Sequence, residues 1–231
     1  MTIPPLLIVG LTRLVWPIRV SGGTLRRDTA VMVTAAIALV PNFAMGEIGR
    51  LPGAVLVLGL VGYLIWAYLQ PGDAVDDDAD TSVLPSMLIS ALWVLGGFVV
   101  LISGARFLVD GSVSIARGFG ISEAFIGLTI VAVATSLPEL ATSIIAGVWR
   151  QSEFAIGNIV GSNIFNVLGI LSVTALIKLI PVADRFLTFD LPIMIAASLV
   201  LTALLLTRPV IGRGIGLVEL IAYFACMWFA Q

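Results

Sequence analysis

The residue with the clearest capacity for chemistry is a carboxylate, Glu139, which lies deep within an apolar run from 121 to 148. Thr135 and Ser136 precede it by four and three residues, so a helix places both hydroxyl groups on its face. Pro138 has no backbone N–H and leaves a carbonyl one turn earlier without its helical donor. Carboxylate, hydroxyl and carbonyl oxygens are the ligands that calcium and sodium prefer. This segment predicts a cation site in a kinked helix.

An ionisable side chain at this depth in an apolar segment is a functional hypothesis by default. Its insertion costs at least ~2.5 kcal/mol, so such residues are rare in membrane helices. The alternative interpretation is a kinked packing helix in which Glu139 is neutral or bonded to a buried hydroxyl.

A second polar stripe occupies the next apolar run, where Asn158, Ser162 and Asn166 recur at intervals of four and share one helix face. Gly157 and Gly161 form a pattern of small residues that permits close helix approach, and packing alone is the other interpretation. A short loop joins this run to the one that carries Glu139. The two stripes can therefore face one another across a pocket.

The composition predicts that these elements are solvated by lipid. The chain is 231 residues long, 59% hydrophobic and only 11% charged, and its mean hydropathy is +1.13, far from the average for a soluble domain. There is no histidine and one cysteine, which excludes zinc, haem, an intrachain disulfide and the usual triads that contain histidine. We expect neither an enzyme nor a resident cofactor. A net charge of −2 gives no case for nucleic-acid binding.

Apolar runs of about 20 residues predict seven membrane-spanning helices. The first run is short and is broken by Pro41, and residues 6–18 resemble the tail of an eighth helix. The runs are 29–45, 51–70, 84–108, 121–148, 154–180, 187–207 and 212–230.

The chain also contains an internal repeat. Residues 13–33 align without gaps on residues 175–195, which matches Asp28 with Asp190. After a shift of one residue, Ile48-Gly49-Arg50 and Gly53 match Ile211-Gly212-Arg213 and Gly216. Chance similarity of apolar helices is the alternative, but it does not account for the matched polar and glycine positions. Duplicated units are common in membrane transporters.

These observations divide the chain into three parts. Residues 1–70 are predicted to be the remainder of a first repeat, with the end of one helix and two full helices. Residues 71–83 carry five aspartates and no basic residue, which predicts a solvated linker. Residues 84–231 are predicted to be a second repeat of five transmembrane helices.

The segments GLTIVAVATSLPELATSIIAG and GNIVGSNIFN closely resemble the signature repeat of sodium/calcium exchangers in the cation/calcium antiporter superfamily. The resemblance implies an all-α membrane protein, a multi-helix bundle with the inverted-repeat exchanger fold that lacks its first two to three helices. It assigns cation ligands to Thr135, Ser136, Glu139 and Ser162, to the backbone carbonyl of Ala132, and a polar contact to Asn166.

The resemblance implies a secondary antiporter that exchanges calcium for sodium in a multi-pass, prokaryotic-type cell membrane. Some family members carry aspartate at the position of Asn166, and the family's first signature repeat is absent. The chain is therefore expected to be truncated, to be a fragment, or to complete its site with another chain by self-association or with a missing N-terminal half. Proton-coupled cation exchange and a non-transporting membrane subunit are the alternatives.

The remaining charges in apolar runs have simpler interpretations. Glu219, inside the last run, is predicted to snorkel or to make an interhelical contact. Arg13, Arg106 and Lys178 lie near predicted helix ends and are interpreted as anchors at the membrane interface.

Overall fold

The fold is all-helical apart from four two-residue strands, within the part of the chain that the computed structural model describes. That part comprises residues 4–15, 18–19, 24–70, 87–120, 136–207 and 210–229. It divides into two compact units, one within Met1–Asp73 and Thr142–Ala230 and the other within Ala74–Ala141. The predicted acidic linker, 71–83, lies outside the described residues.

The elements follow one another in the order that the apolar runs predict, with two π-helical turns added. In chain order they are α1 (Pro4–Val15), β1 (Ile18–Arg19), α2 (Thr24–Ala44), β2 (Glu47–Ile48), α3 (Arg50–Leu69), α4 (Met87–Gly118), α5 (Leu137–Val148), α6 (Ser152–Phe165), a π-helical turn (Asn166–Leu171), α7 (Ser172–Ile177), β3 (Ile180–Pro181), a second π-helical turn (Phe186–Asp190), α8 (Leu191–Thr207), β4 (Val210–Ile211) and α9 (Arg213–Phe229).

Four helical stretches in the described part are long and apolar enough to cross a membrane: Arg50–Leu69, Met87–Gly118, Ser152–Ile177 and Phe186–Thr207. Each corresponds to a predicted span, and their large apolar side chains are extensively exposed, as lipid-facing surfaces require. The predicted end of the third span at 108 is wrong, because α4 continues for ten further residues to Gly118.

The prediction that Pro41 breaks the first full span is also wrong. Helix α2 begins with the charged turn before the apolar run, runs for 21 residues and continues past Pro41 to Ala44. Proline so close to the helix end interrupts few of the helix's hydrogen bonds, and the helix stops within one turn of it.

The larger unit is built from two interleaved sets of elements, which the internal repeat relates to each other. Helix α1 packs against α9, and α7 packs against α3. By the alignment, α1 corresponds to the first π-helical turn together with α7, and α9 corresponds to α3. Strand β1 pairs antiparallel with β4, so that Ile18 lies opposite Ile211. Strand β2 pairs with β3 in the same way, and Ile48 lies opposite Ile180.

The two helix crossings agree in atomic detail. A Cβ atom built on Gly216 would lie 2.9 Å from the Gly10 carbonyl oxygen and 2.9 Å from the Arg13 Cβ. A Cβ built on Gly53 would lie 2.9 Å from the Ser172 carbonyl oxygen and 3.0 Å from the Ala175 Cβ. In the register of the repeat, Gly10 matches Ser172 and Arg13 matches Ala175. Each half thus supplies one helix to each crossing, and glycine permits the close approach.

One crossing carries charges that the other lacks. Arg13 Nη1 donates to Glu219 Oε1 at 2.5 Å, and the two residues are 0% and 5% exposed. The prediction that Arg13 is an interface anchor is therefore wrong, because its side chain is fully buried between α1 and α9. The prediction of an interhelical contact for Glu219 is confirmed. At the matching crossing the position of Arg13 is taken by Ala175.

Candidate functional site

Glu139 lies in the first turn of α5, which begins at Leu137. Proline is tolerated in a first turn because backbone N–H groups there have no helical acceptor, and so Pro138 does not interrupt the helix that follows. The Glu139 residue is partly buried, and its Oε2 atom is buried from solvent. The helix N-terminus favours negative charge, which makes the first turn a suitable place for a carboxylate in an apolar segment.

Ser136 precedes this helix and is 7% exposed. Its carbonyl oxygen accepts a hydrogen bond from the Leu140 N–H at 2.9 Å, so the backbone at Ser136 is fixed by the first turn of α5. The other two predicted ligands on this segment, Thr135 and Ala132, lie outside the described residues.

Ser162 and Asn166 lie on the second polar stripe, as predicted, and both are partly buried. Ser162 Oγ donates to the Ile159 carbonyl oxygen at 3.0 Å. Asn166 is the first residue of the π-helical turn Asn166–Leu171, a feature that the sequence pattern does not predict. Single π-helical turns within α-helices occur often at functional sites, because they redirect side chains and carbonyl groups.

Asn166 also borders a cavity of about 250 Å³ within the larger unit. Asn163 lines the same cavity, with Nδ2 donating to the Ile159 carbonyl oxygen at 2.7 Å. The remaining walls are apolar and include Phe43 and Phe186, whose ring centroids are 6.4 Å apart in an edge-to-face arrangement. The two amides are thus the polar part of an otherwise apolar wall.

Asn158, the third member of the stripe, connects α6 to α5. Its Nδ2 donates to Thr142 Oγ1 at 2.9 Å and to Ser143 Oγ at 3.0 Å. Ser143 is 0% exposed, so the Ser143 end of this bridge is shielded from solvent. This contact joins α6 to the part of α5 that belongs to the larger unit.

The turn between α5 and α6 has a specific geometry. Gln151 N–H donates to the Ala146 carbonyl oxygen at 2.8 Å and Arg150 N–H donates to that of Gly147 at 3.0 Å, which is a Schellman motif. Arg150 occupies its left-handed position with φ of 62°, where glycine is the usual residue. The chain therefore folds back immediately after α5.

The described ligand candidates fall in different units. Ser136 and Glu139 belong to the smaller unit, while Ser162 and Asn166 belong to the larger one. Gly157 and Gly161, predicted to allow close helix approach, have no described atom beyond their chain neighbours and their own helix backbone within 4 Å of a Cβ built on them. The close approaches occur instead at Gly10, Gly53 and Gly216.

Sequence reasoning missed the hydroxyl partners of Asn158. Thr142 and Ser143 follow Glu139 by three and four residues, so helical spacing could have placed them on its face. The Arg13–Glu219 pair had no comparable signal, because 206 residues separate its members.

Membrane-length helices, a duplicated and interleaved architecture and a carboxylate inside an apolar segment define an integral membrane protein of the transporter class. The sequence profile of the family described as "Sodium/calcium exchanger protein" matches residues 89–231. The chain belongs to this family, whose members are transporters and not enzymes.

Individual relatives agree with this membership. CaxA of Alkalimonas amylolytica is 34% identical over 203 residues, which are 85% of this chain and 64% of CaxA. The inner membrane protein YrbG of Escherichia coli K12 is 32% identical over 222 residues, 91% of this chain and 68% of YrbG. The chain thus spans about two thirds of the length of these relatives.

Solved structures of the sodium-calcium exchanger NCX_Mj have the same fold. One of them superposes with a TM-score of 0.80 and 29% identity, covering 97% of this chain and 71% of NCX_Mj. The predicted fold class and the predicted family are confirmed.

Proposed function

We propose that this chain carries out secondary antiport of calcium against sodium across a prokaryotic-type cell membrane. The observation that carries the proposal is Glu139, a carboxylate in the first turn of a helix within an apolar segment. Maintaining such a group in the bilayer has a cost that is offset when it binds a cation. Membership of the sodium/calcium exchanger family supports the identity of the ions.

We further propose that the cation is bound by the predicted ligands. Glu139 supplies the negative charge, while Thr135, Ser136 and Ser162 supply hydroxyl oxygens. The carbonyl oxygen of Ala132 and the side-chain oxygen of Asn166 complete an all-oxygen set, which suits calcium and sodium. Any further acidic ligand would come from outside these two segments, by self-association or from an N-terminal half.

The test is calcium flux into proteoliposomes that contain the purified chain. An imposed sodium gradient should drive calcium uptake, and dissipating that gradient should stop it. Glu139→Ala should reduce the flux to the level of empty vesicles, since the principal charge for the divalent ion is removed.

Glu153→Gln is the matched control, because Glu153 is an exposed carboxylate in the first turn of α6. Undiminished flux in Glu139→Ala would refute the assignment, and absence of flux in the wild type would favour a non-transporting subunit.

Proton-coupled cation exchange is the second candidate, and Asn166 favours it. Some family members have aspartate there, so a neutral amide changes the charge available to balance the ions. Calcium uptake that persists without sodium, and that collapses when the pH gradient is dissipated, would select this candidate.

A further inference from the structure

We infer that Asn158 is a positioning residue, which fixes the helix that carries Glu139 relative to the helix that carries Ser162. It donates two hydrogen bonds from one amide group, to Thr142 Oγ1 at 2.9 Å and to Ser143 Oγ at 3.0 Å. The inference rests on the proposed function in so far as it concerns cation affinity.

The bridge is close in sequence to ligand candidates on both helices. Thr142 lies three residues after Glu139 on the continuous helix α5, and Ser162 lies four residues after Asn158 on α6. One helical turn therefore separates each end of the bridge from a candidate ligand. The bridge therefore restrains rotation and sliding of α5 against α6 within one turn of each candidate ligand.

The chemistry of the bridge gives it directional specificity. An apolar contact between two helices tolerates sliding, whereas two hydrogen bonds from one planar amide fix both distance and rotation. Ser143 is completely buried, so water does not substitute for the amide at this hydroxyl. Since no hydrophobic effect drives helix association within lipid, polar contacts of this kind are an effective means of fixing helix register.

Asn42 is a buried asparagine that serves as a comparison, because its described hydrogen bond does not link two helices. It is 7% exposed, and its Nδ2 donates to the Ala38 carbonyl oxygen at 2.8 Å, within its own helix. Asn42→Leu is therefore a control that removes a buried amide without removing a link between helices.

The first arm of the test measures geometry without transport. Spin labels are placed on cysteines at Ile145 of α5 and Phe154 of α6, both exposed, in a Cys226→Ser background. Asn158→Leu should broaden the distribution of label-to-label distances, while Asn42→Leu should leave it narrow. A wild-type distribution in Asn158→Leu would overturn the inference. Thr142→Val combined with Ser143→Ala should broaden it equally, which tests the bridge from its other side.

The second arm measures cation affinity. Asn158→Leu should raise the KM for calcium by about fivefold or more, the equivalent of one buried hydrogen bond, with a smaller change in kcat. The triple variant Asn158→Leu, Thr142→Val, Ser143→Ala leaves no polar group of the bridge unpaired, so its thermal stability should recover. Its KM should stay raised, because the apolar contact does not fix the register.

Recovery of both stability and KM in the triple variant would mean that the bridge is merely structural, and would overturn the inference. If the wild-type chain moves no calcium, the proposed function fails, and the distance measurement by itself decides whether Asn158 positions α5.

Discussion

Glu139 is the residue on which the chemistry depends, and its position in a first helical turn is physically favourable. The partial positive charge at the N-terminus of α5 stabilises a carboxylate in this turn. The same carboxylate attracts a cation, with neighbouring hydroxyl groups to complete its coordination. A helix that begins within an apolar segment thus stabilises a carboxylate that would otherwise be costly there, and this carboxylate can bind a cation.

A substitution at Asn166 tests how far the negative charge of the proposed site limits calcium binding. Asn166→Asp adds a second carboxylate to the proposed site and should lower the KM for calcium several-fold. Two carboxylates balance the double positive charge of the ion better than one does. The KM is measured from initial rates of calcium uptake. Asn163→Asp is the control, since Asn163 lines the same cavity and bonds to its own helix. Equal changes in the two variants would indicate a general effect of added negative charge and would contradict a specific role for Asn166.

Local spacing identifies some of these residues and misses others for a physical reason. The TSLPE motif at residues 135–139 and the four-residue intervals of Asn158, Ser162 and Asn166 match helical periodicity. Each can be recognised within a single segment of the sequence. The pairing of Arg13 with Glu219 depends on the packing of α1 against α9, which no local pattern encodes. Sequence alone therefore assigns Arg13 to the membrane interface, where isolated basic residues usually lie.

At the scale of elements, the two matching helix crossings explain the positions of the glycines. Gly53 and Gly216 match each other in the repeat, and each has a backbone oxygen 2.9 Å from the position of a Cβ atom. Selection for close backbone contact at both crossings accounts for a glycine match between otherwise divergent helices.

Gly53→Ala should therefore destabilise the protein by about 1–3 kcal/mol, since the new methyl group meets the Ser172 backbone rather than a flexible side chain. Gly62→Ala, on the same helix, has open space around it and should be neutral or stabilising by up to about 1 kcal/mol. Free energies of unfolding in detergent micelles compare the two variants. Similar values for both would show that the crossing tolerates a side chain.

The buried ion pair gives a second prediction at this scale. Arg13→Ala by itself should cost about 3–5 kcal/mol of unfolding free energy, because it leaves Glu219 buried without its cationic partner. Arg13→Ala combined with Glu219→Leu should recover most of that loss, since apolar groups then replace both charges. The double variant also gives α1 the residue that α7 has at this crossing, Ala175. A double variant no more stable than the single one would contradict this interpretation.

Apolar length predicts which helices exist, while their ends depend on features that length does not capture. Helix α4 extends ten residues beyond the predicted end of its apolar run, and α2 begins with a charged turn before its run. The π-helical turn at Asn166–Leu171 adds one residue to a helical turn without a change in hydropathy. Hydropathy is insensitive to both features because it records composition rather than hydrogen bonding.

At the scale of the whole chain, the repeat predicts the architecture more fully than any single motif. Its alignment relates the pairing of β1 with β4 to that of β2 with β3, and the contact of α1 with α9 to that of α7 with α3. We propose that residues 1–70 and 84–231 are parts of two repeats joined by the acidic segment 71–83. Each half supplies partners to the other, so neither half can form these crossings alone.

The most direct test of the central claim is equilibrium binding of radioactive calcium to the purified chain, with sodium as competitor. The wild-type chain should bind calcium, sodium should displace it, and Glu139→Gln should weaken binding by more than about tenfold, or ~1.4 kcal/mol. Glu153→Gln should bind as the wild type does. Calcium binding of wild-type affinity in Glu139→Gln would contradict the claim that this carboxylate holds the transported ion.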